Sequence, residues 1–164
     1  MALDIRTFGD PVLKTRAAPV ETFDDALANL AEEMLNTMRE REGVGLAANQ
    51  VGRLKRVLVA GTEDEEYVIV NPLLEDVAET TEKELEGCLS IPGIQVEVER
   101  PTGLTISGQD ASGVALRIEA SGLLARIFQH EMDHLDGVLI LDRTDGESRK
   151  AAMREMRERL LAQS

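Results

Sequence analysis

Gln129-His130-Glu131-Met132-Asp133-His134-Leu135 contains both histidines of a 164-residue chain, and the fold is read outward from it. On an α-helix, residues four apart share a face, so His130 and His134 can point at one ion while Glu131 sits beside it. Leu123, Leu124, Ile127 and Phe128 precede the motif with the apolar spacing of a buried helix. Ser121 caps that helix and Gly137 stops it, so it is expected over about 121–135. Two surface histidines that merely happen to be four apart would not call for this apolar context or for the Glu that follows the first.

The only cysteine, Cys88, lies upstream in Glu86-Gly87-Cys88-Leu89-Ser90. One thiol excludes an internal disulfide and fits a reducing compartment, where a lone cysteine is more often a ligand or nucleophile. Two imidazoles, one thiol and no evident fourth ligand are what a catalytic metal site presents, because its open position holds water. A metal there would bring the pKa of water toward neutrality. Glu131, directly after the first histidine, is placed to shuttle the proton from that water to a leaving amine.

Composition narrows the setting. With 43% hydrophobic and 30% charged residues the chain reads as an ordinary globule, one catalytic domain over residues 1–164. No apolar run is long enough to span a bilayer. The opening Met1-Ala2-Leu3-Asp4-Ile5-Arg6 lacks the apolar core of a signal peptide, so a cytoplasmic address is expected. A net charge of −13 argues against general nucleic-acid binding. From Glu63 to Glu86 there are ten acidic residues and one basic, which reads as a solvated surface. From Arg143 onward six basic residues face four acidic ones, the one positive stretch.

Periodicity predicts a helix over Phe23–Arg41, with Phe23, Ala26, Leu27, Leu30, Met34 and Met38 on one face, ended by Gly43 and Gly45. Strands are expected at 57–60 and 67–70, and at 94–100 where Ile94, Val96 and Val98 alternate. Residues 104–108 and 114–118 form a hairpin around Asp110-Ala111-Ser112-Gly113. A last helix spans 147–162, with Met153, Met156, Leu160 and Leu161 toward the body and the arginines outside. The fold class is α+β: mixed, largely antiparallel strands packed around a central metal-binding helix.

Gly43-Val44-Gly45-Leu46-Ala47-Ala48-Asn49-Gln50 is small, apolar and uncharged. It reads either as a helix end running into a core strand, or as a backbone edge that an extended peptide can pair with. Taken with the two other segments, GVGLAANQ, EGCLS and QHEMDHL resemble, in order and spacing, the three signature motifs of peptide deformylase. The resemblance covers most of the chain, from Gly9-Asp10-Pro11-Val12-Leu13 to the motif helix. It implies a bacterial metalloenzyme that takes the formyl group off formyl-methionyl peptides. Carried over, Cys88, His130 and His134 are metal ligands and Glu131 is the general acid/base. Gln50 and the Leu89 N–H stabilise the oxyanion, while Val44, Gly45 and Glu86 border the peptide groove. Val44, Leu123, Ile127 and His130 line the methionine pocket. The implied ion is Fe(2+), with Zn(2+), Ni(2+) or Co(2+) possible in purified material, one per chain. Family members often have an arginine shortly after the cysteine motif; here Gln95 stands near that place and the next arginine is Arg100. Docking of the basic C-terminal helix on the ribosome is a further expectation.

Two other readings compete. An ordinary HExxH metallopeptidase would take a third ligand downstream, and Glu155 lies at a suitable distance from His134. A relative that binds formylated peptides without turnover would be expected to lack the acid/base, and Glu131 is present.

Overall fold

The computed structural model describes residues 2–163. Its first helix, α1 (Asp25–Glu40), starts where the Asp24 side chain accepts from the Leu27 N–H at 3.0 Å, satisfying one of the unpaired donors of a helix start. Five strands then make one antiparallel sheet: β1 (Gly45–Ala47), β2 (Val57–Gly61), β3 (Glu66–Glu75), β6 (Gly103–Gln109) and β7 (Ala115–Ser121), in the order β1-β2-β3-β6-β7. Between β3 and β6 the chain makes a separate two-stranded sheet, β4 (Thr81–Cys88) with β5 (Ile91–Pro101). Helices α2 (Gly122–Leu135), α3 (Ile140–Arg143) and α4 (Gly146–Ala162) follow.

The large sheet is covered on both faces, and the two-residue period of β2 sorts its side chains between them. Val57 and Val59 join Leu27, Met34 and Met38 of α1 in one apolar cluster. Leu58 and Ala60 join Ile127, Phe128 and Leu135 of α2 in another. A third cluster lies apart: Ile94, Val96 and Val98 of β5 pack against Ile140 and Leu141 of α3 and Ala152 of α4. The helix that carries the histidines and the hairpin that carries Cys88 therefore belong to different packing units.

Most expected elements are present, and the differences have physical causes. The 94–100 strand extends to Ile91–Pro101, with Ile94, Val96 and Val98 buried as expected. The Asp110–Gly113 turn is closed by Asp110, whose carboxylate accepts from the Ser112 and Val114 N–H groups, with Gly113 at φ +87°. The acidic stretch is not only solvated surface, since from Thr81 on it is β4. Only Glu86 of that strand is buried, so β4 is held by pairing with β5 and leaves no hydrophobic pattern to read. The GVGLAANQ segment joins its two readings: α1 ends at Glu40, and Gly45–Ala47 is a buried strand, β1, that lies at the sheet edge and pairs with β2 on one side. In α4 only Ala152 is buried, and Leu160 and Leu161 are about two-thirds exposed. Of that helix, Ala152 belongs to the third cluster and Met156 packs against it.

Candidate active site

Helix α2 presents His130 and His134 on one face, and the tip of the β4–β5 hairpin brings Cys88 opposite them. The two histidine Nε2 atoms are 3.2 Å apart, Cys88 Sγ is 3.3 Å from His134 Nε2, and all three ligand atoms lie within 4.8 Å of one another. Tetrahedral bonds of about 2.05 Å to nitrogen and 2.3 Å to sulfur would give N···N and N···S edges of about 3.3 and 3.6 Å. The observed spacings fit such a trio. The tautomer also suits it: His130 Nδ1 is 3.0 Å from Glu86 Oε1, which leaves the Nε2 lone pair for an ion.

Glu131 lies against this trio and is almost fully buried. Among the described residues neither its buried Oε1 nor the buried His134 Nδ1 has a hydrogen-bond partner. Burial pushes the Glu131 carboxyl up to about 7, against the downward pull of His130 and Arg100. A carboxyl held there exchanges a proton near neutral pH in either direction. Glu86 responds differently. Its burial would raise it, but hydrogen bonds from His130 and Arg100 prevail and hold it at about 2. His134, buried and beside His130 and Arg100, is driven well below the usual imidazole range and stays neutral.

Gln50 follows β1 in a short 3-10 turn, Ala48–Val51, and its amide is oriented at both ends. Its Oε1 accepts from the Ala47 N–H at 3.0 Å, and its Nε2 donates to Ser90 Oγ at 3.1 Å and to Cys88 Sγ at 3.5 Å. The hairpin tip is pinned from outside by the Phe8 N–H, which donates to the Ser90 carbonyl at 2.8 Å. An open groove of about 1040 Å³ runs past these groups. Val44, Gly45, Glu86, Leu89, Leu123, Ile127, His130 and Glu131 all line it. Val44 and Leu123 stand half-exposed or more at its rim, while Ile127 is buried in its wall. Among the described residues the outer edge of β1 carries no strand partner, so apart from the Ala47 N–H, which Gln50 holds, its backbone is open to an extended peptide.

The structure thus gathers every residue expected from the three motifs. It does not bring Glu155 to the ligands. That residue lines the far part of the groove, bonded to Arg159 at 3.2 Å, and is not in the ligand group. Sequence reading missed the charges beneath the site. Arg100 forks onto Glu86 (2.6 and 2.9 Å) and reaches Asp133 at 2.9 Å, Arg126 meets Glu86 at 2.5 Å, and Arg143 binds Asp133 at 2.8 and 3.1 Å. The one signal available was Arg126 itself, a cation four residues before His130 on an otherwise apolar helix face.

An α+β scaffold that sets one thiol, two imidazoles and a buried carboxyl beside an open groove defines a metal-dependent hydrolase centre. The sequence pattern of the polypeptide deformylase family matches residues 2–150, and the chain belongs to that family. Peptide deformylase 1 of Corynebacterium efficiens is 50% identical over 154 residues, which is 92% of this chain and 91% of the relative. The crystal structure of the Thermotoga maritima peptide deformylase superposes with a TM-score of 0.86 at 44% identity, over 88% of this chain and 99% of that one. The Synechococcus elongatus peptide deformylase in complex with actinonin gives a TM-score of 0.90 at 43% identity, over 94% and 85%. The protein is an enzyme that removes the N-formyl group from newly made polypeptides.

Proposed function

We propose that Cys88, His130 and His134 hold one divalent ion and that Glu131, Gln50 and Leu89 carry out deformylation around it. The observation that carries this reading is the buried, unpartnered Glu131 oxygen beside three converging ligand atoms. When bound, the ion supplies Lewis acidity and makes water nucleophilic near neutral pH. Glu131 accepts the proton of the attacking water and passes it to the departing amine. The formamide C–N bond breaks, formate leaves with the water oxygen, and the peptide keeps a free amino group. The Gln50 Nε2–H and the Leu89 N–H donate to the oxygen that gains charge on the way. The free edge of β1 pairs with the peptide backbone, and Val44, Leu123, Ile127 and His130 surround the methionine side chain. Val44, Gly45 and Glu86 border that groove.

Ferrous iron is our choice of ion, because one thiolate and two imidazoles suit it while leaving an open position; Zn(2+), Ni(2+) and Co(2+) suit the same donors. The bacterial cytoplasm is the compartment we propose, since new formylated chains emerge there. Ribosome docking through α4 draws support from Lys150, Arg154 and Arg157, which are exposed at i, i+4 and i+7 and enter no ion pair among the described residues. Arg149 and Arg159 instead bind Leu141, Asp142, Glu155 and Gly93 of the protein itself. The deciding experiment is turnover of formyl-Met-Ala by wild type and Cys88→Ala. The variant should lose both the ion and the activity, and unimpaired turnover by it would refute the assignment.

A further inference from the structure

The ligand trio is split between two packing units. His130 and His134 ride on α2, which packs on the five-stranded sheet, whereas Cys88 ends a hairpin that shares no strand pairing with that sheet. Side chains must therefore set how far the thiol stands from the imidazoles. Arg126 lies on α2 one turn before His130, on the ligand-bearing face. Its guanidinium donates to the Val98 carbonyl of β5 at 3.0 Å, to the Glu82 carbonyl of β4 at 2.8 Å, and to Glu86 Oε2 at 2.5 Å. One side chain of the helix thus grips both strands of the hairpin.

The charge arithmetic shows that Glu86 alone does not require this arginine. Arg100, on the hairpin with Glu86, already engages both oxygens of that carboxylate. A second buried cation on a satisfied carboxylate brings desolvation cost, and buried ion pairs are poor sources of net stability. Arg100 also reaches Asp133 of α2 at 2.9 Å and Glu86 reaches His130 at 3.0 Å, so the gap is already bridged at the ligands' own turn. What Arg126 adds is a grip from α2 on the backbone of both hairpin strands one turn earlier. A rigid fork with several donors is suited to that task and a flexible ammonium is not.

We propose that Arg126 is a positioning residue that fixes the Cys88 hairpin against the histidine helix and so sets the spacing of the three ligand atoms. The proposal rests on the reading of Cys88, His130 and His134 as metal ligands. It acts through the ligands and touches no reacting atom. Groups that orient ligands from behind typically change metal affinity by about 10–100-fold when lost.

The test uses metal-free full-length protein titrated with Co(II), followed by the thiolate-to-cobalt charge-transfer band and by competition with a chelator. Arg126→Met should bind Co(II) about 10–100-fold more weakly, with a weakened or displaced charge-transfer band and an unchanged far-ultraviolet circular dichroism spectrum. Leu27→Ala, in the cluster around α1, serves as a destabilised control remote from the hairpin. Wild-type affinity and band in Arg126→Met would overturn the proposal. So would an equal loss in Leu27→Ala, which would reduce the effect to general stability. Should Arg126→Met fail to fold, Arg126→Gln is read by the same criteria. A wild type without any charge-transfer band would sink the ligand assignment itself, a separate failure from that of Arg126.

Discussion

Gly45 is where the groove and the acid/base meet, and replacing it with alanine tests both. A Cβ at this position would stand 2.5 Å from Glu131 Oε2, 2.9 Å from Glu131 Cγ and 2.9 Å from Ile127 Cγ2. Comfortable contacts begin near 3.5 Å, so the carboxylate must move by about 1 Å. The alternatives are closed. Gly45 pairs with Ala60 in the sheet, the Gly61 N–H holds the neighbouring Val44 carbonyl at 2.8 Å, and Ile127 is buried in the core. A 1 Å displacement of a catalytic group costs about 10²-fold in rate, and crowding a packed site costs about 1–3 kcal/mol of stability. We expect Gly45→Ala to keep its ion, since the three ligands are not touched, and to lose about 100-fold in kcat on formyl-Met-Ala. Gly146→Ala, whose added methyl meets nothing within 4 Å, is the control and should keep wild-type kcat. Turnover, metal content and thermal unfolding are measured on the same preparations. A fully metallated Gly45→Ala with wild-type kcat would refute the placement of Glu131 in the reaction.

Glu131→Gln should retain metal and fold but lose about 10²- to 10⁴-fold in turnover, read from deformylation rate and metal content together. The apolar pocket separates methionine from near-isosteres by only about 1–3 kcal/mol, so formyl-Met and formyl-norleucine peptides should be close in kcat/KM and formyl-Asp peptides poor. Asp142 is largely exposed; what burial it has would raise its carboxyl, but Lys14, the Leu139 N–H and Arg149 hold it below its usual 3.8. A lowered folded value gives stability that is present above 3.8 and lost as pH falls through the folded value. Asp142→Asn should therefore cost about 0.5–1 kcal/mol at pH 7, and denaturant melts should show that gap closing in acid. The iron form should lose activity in air faster than Ni(II) or Co(II) forms, with oxidised Cys88 visible by mass spectrometry; an air-stable iron form no faster than zinc would favour zinc.

How far the sequence could be read depended on whether a residue's partners were near it along the chain. His130 and His134 were legible because helical geometry alone puts them together. β5 was legible because Ile94, Val96 and Val98 alternate, and all three are buried. β4 was not, because its pattern is exposed apart from Glu86 and its stability comes from pairing with β5. Glu86 was expected at the groove border. It lines the groove, yet its carboxylate is bound by Arg100, 14 residues away, and by Arg126, 40 residues away. No local pattern announces contacts of that range.

The small residues of GVGLAANQ follow from two demands on one strand. As a sheet edge, β1 must leave its backbone free on the groove side. As the neighbour of α2, it must come close enough to keep Glu131 out of water, because that burial is what lifts the carboxyl to about 7. A side chain at Gly45 would push the Glu131 carboxyl out of this contact, and a better hydrated Glu131 would fall toward the ordinary 4.5 and become a weaker base. Leu46 and Ala47, both completely buried, keep the strand down on the core. The glycine thus serves the chemistry through the distance it permits rather than through backbone freedom. For that reason Gly45→Ala should also shift the acid limb of the kcat–pH profile to lower pH, a change that lost peptide affinity alone would not produce.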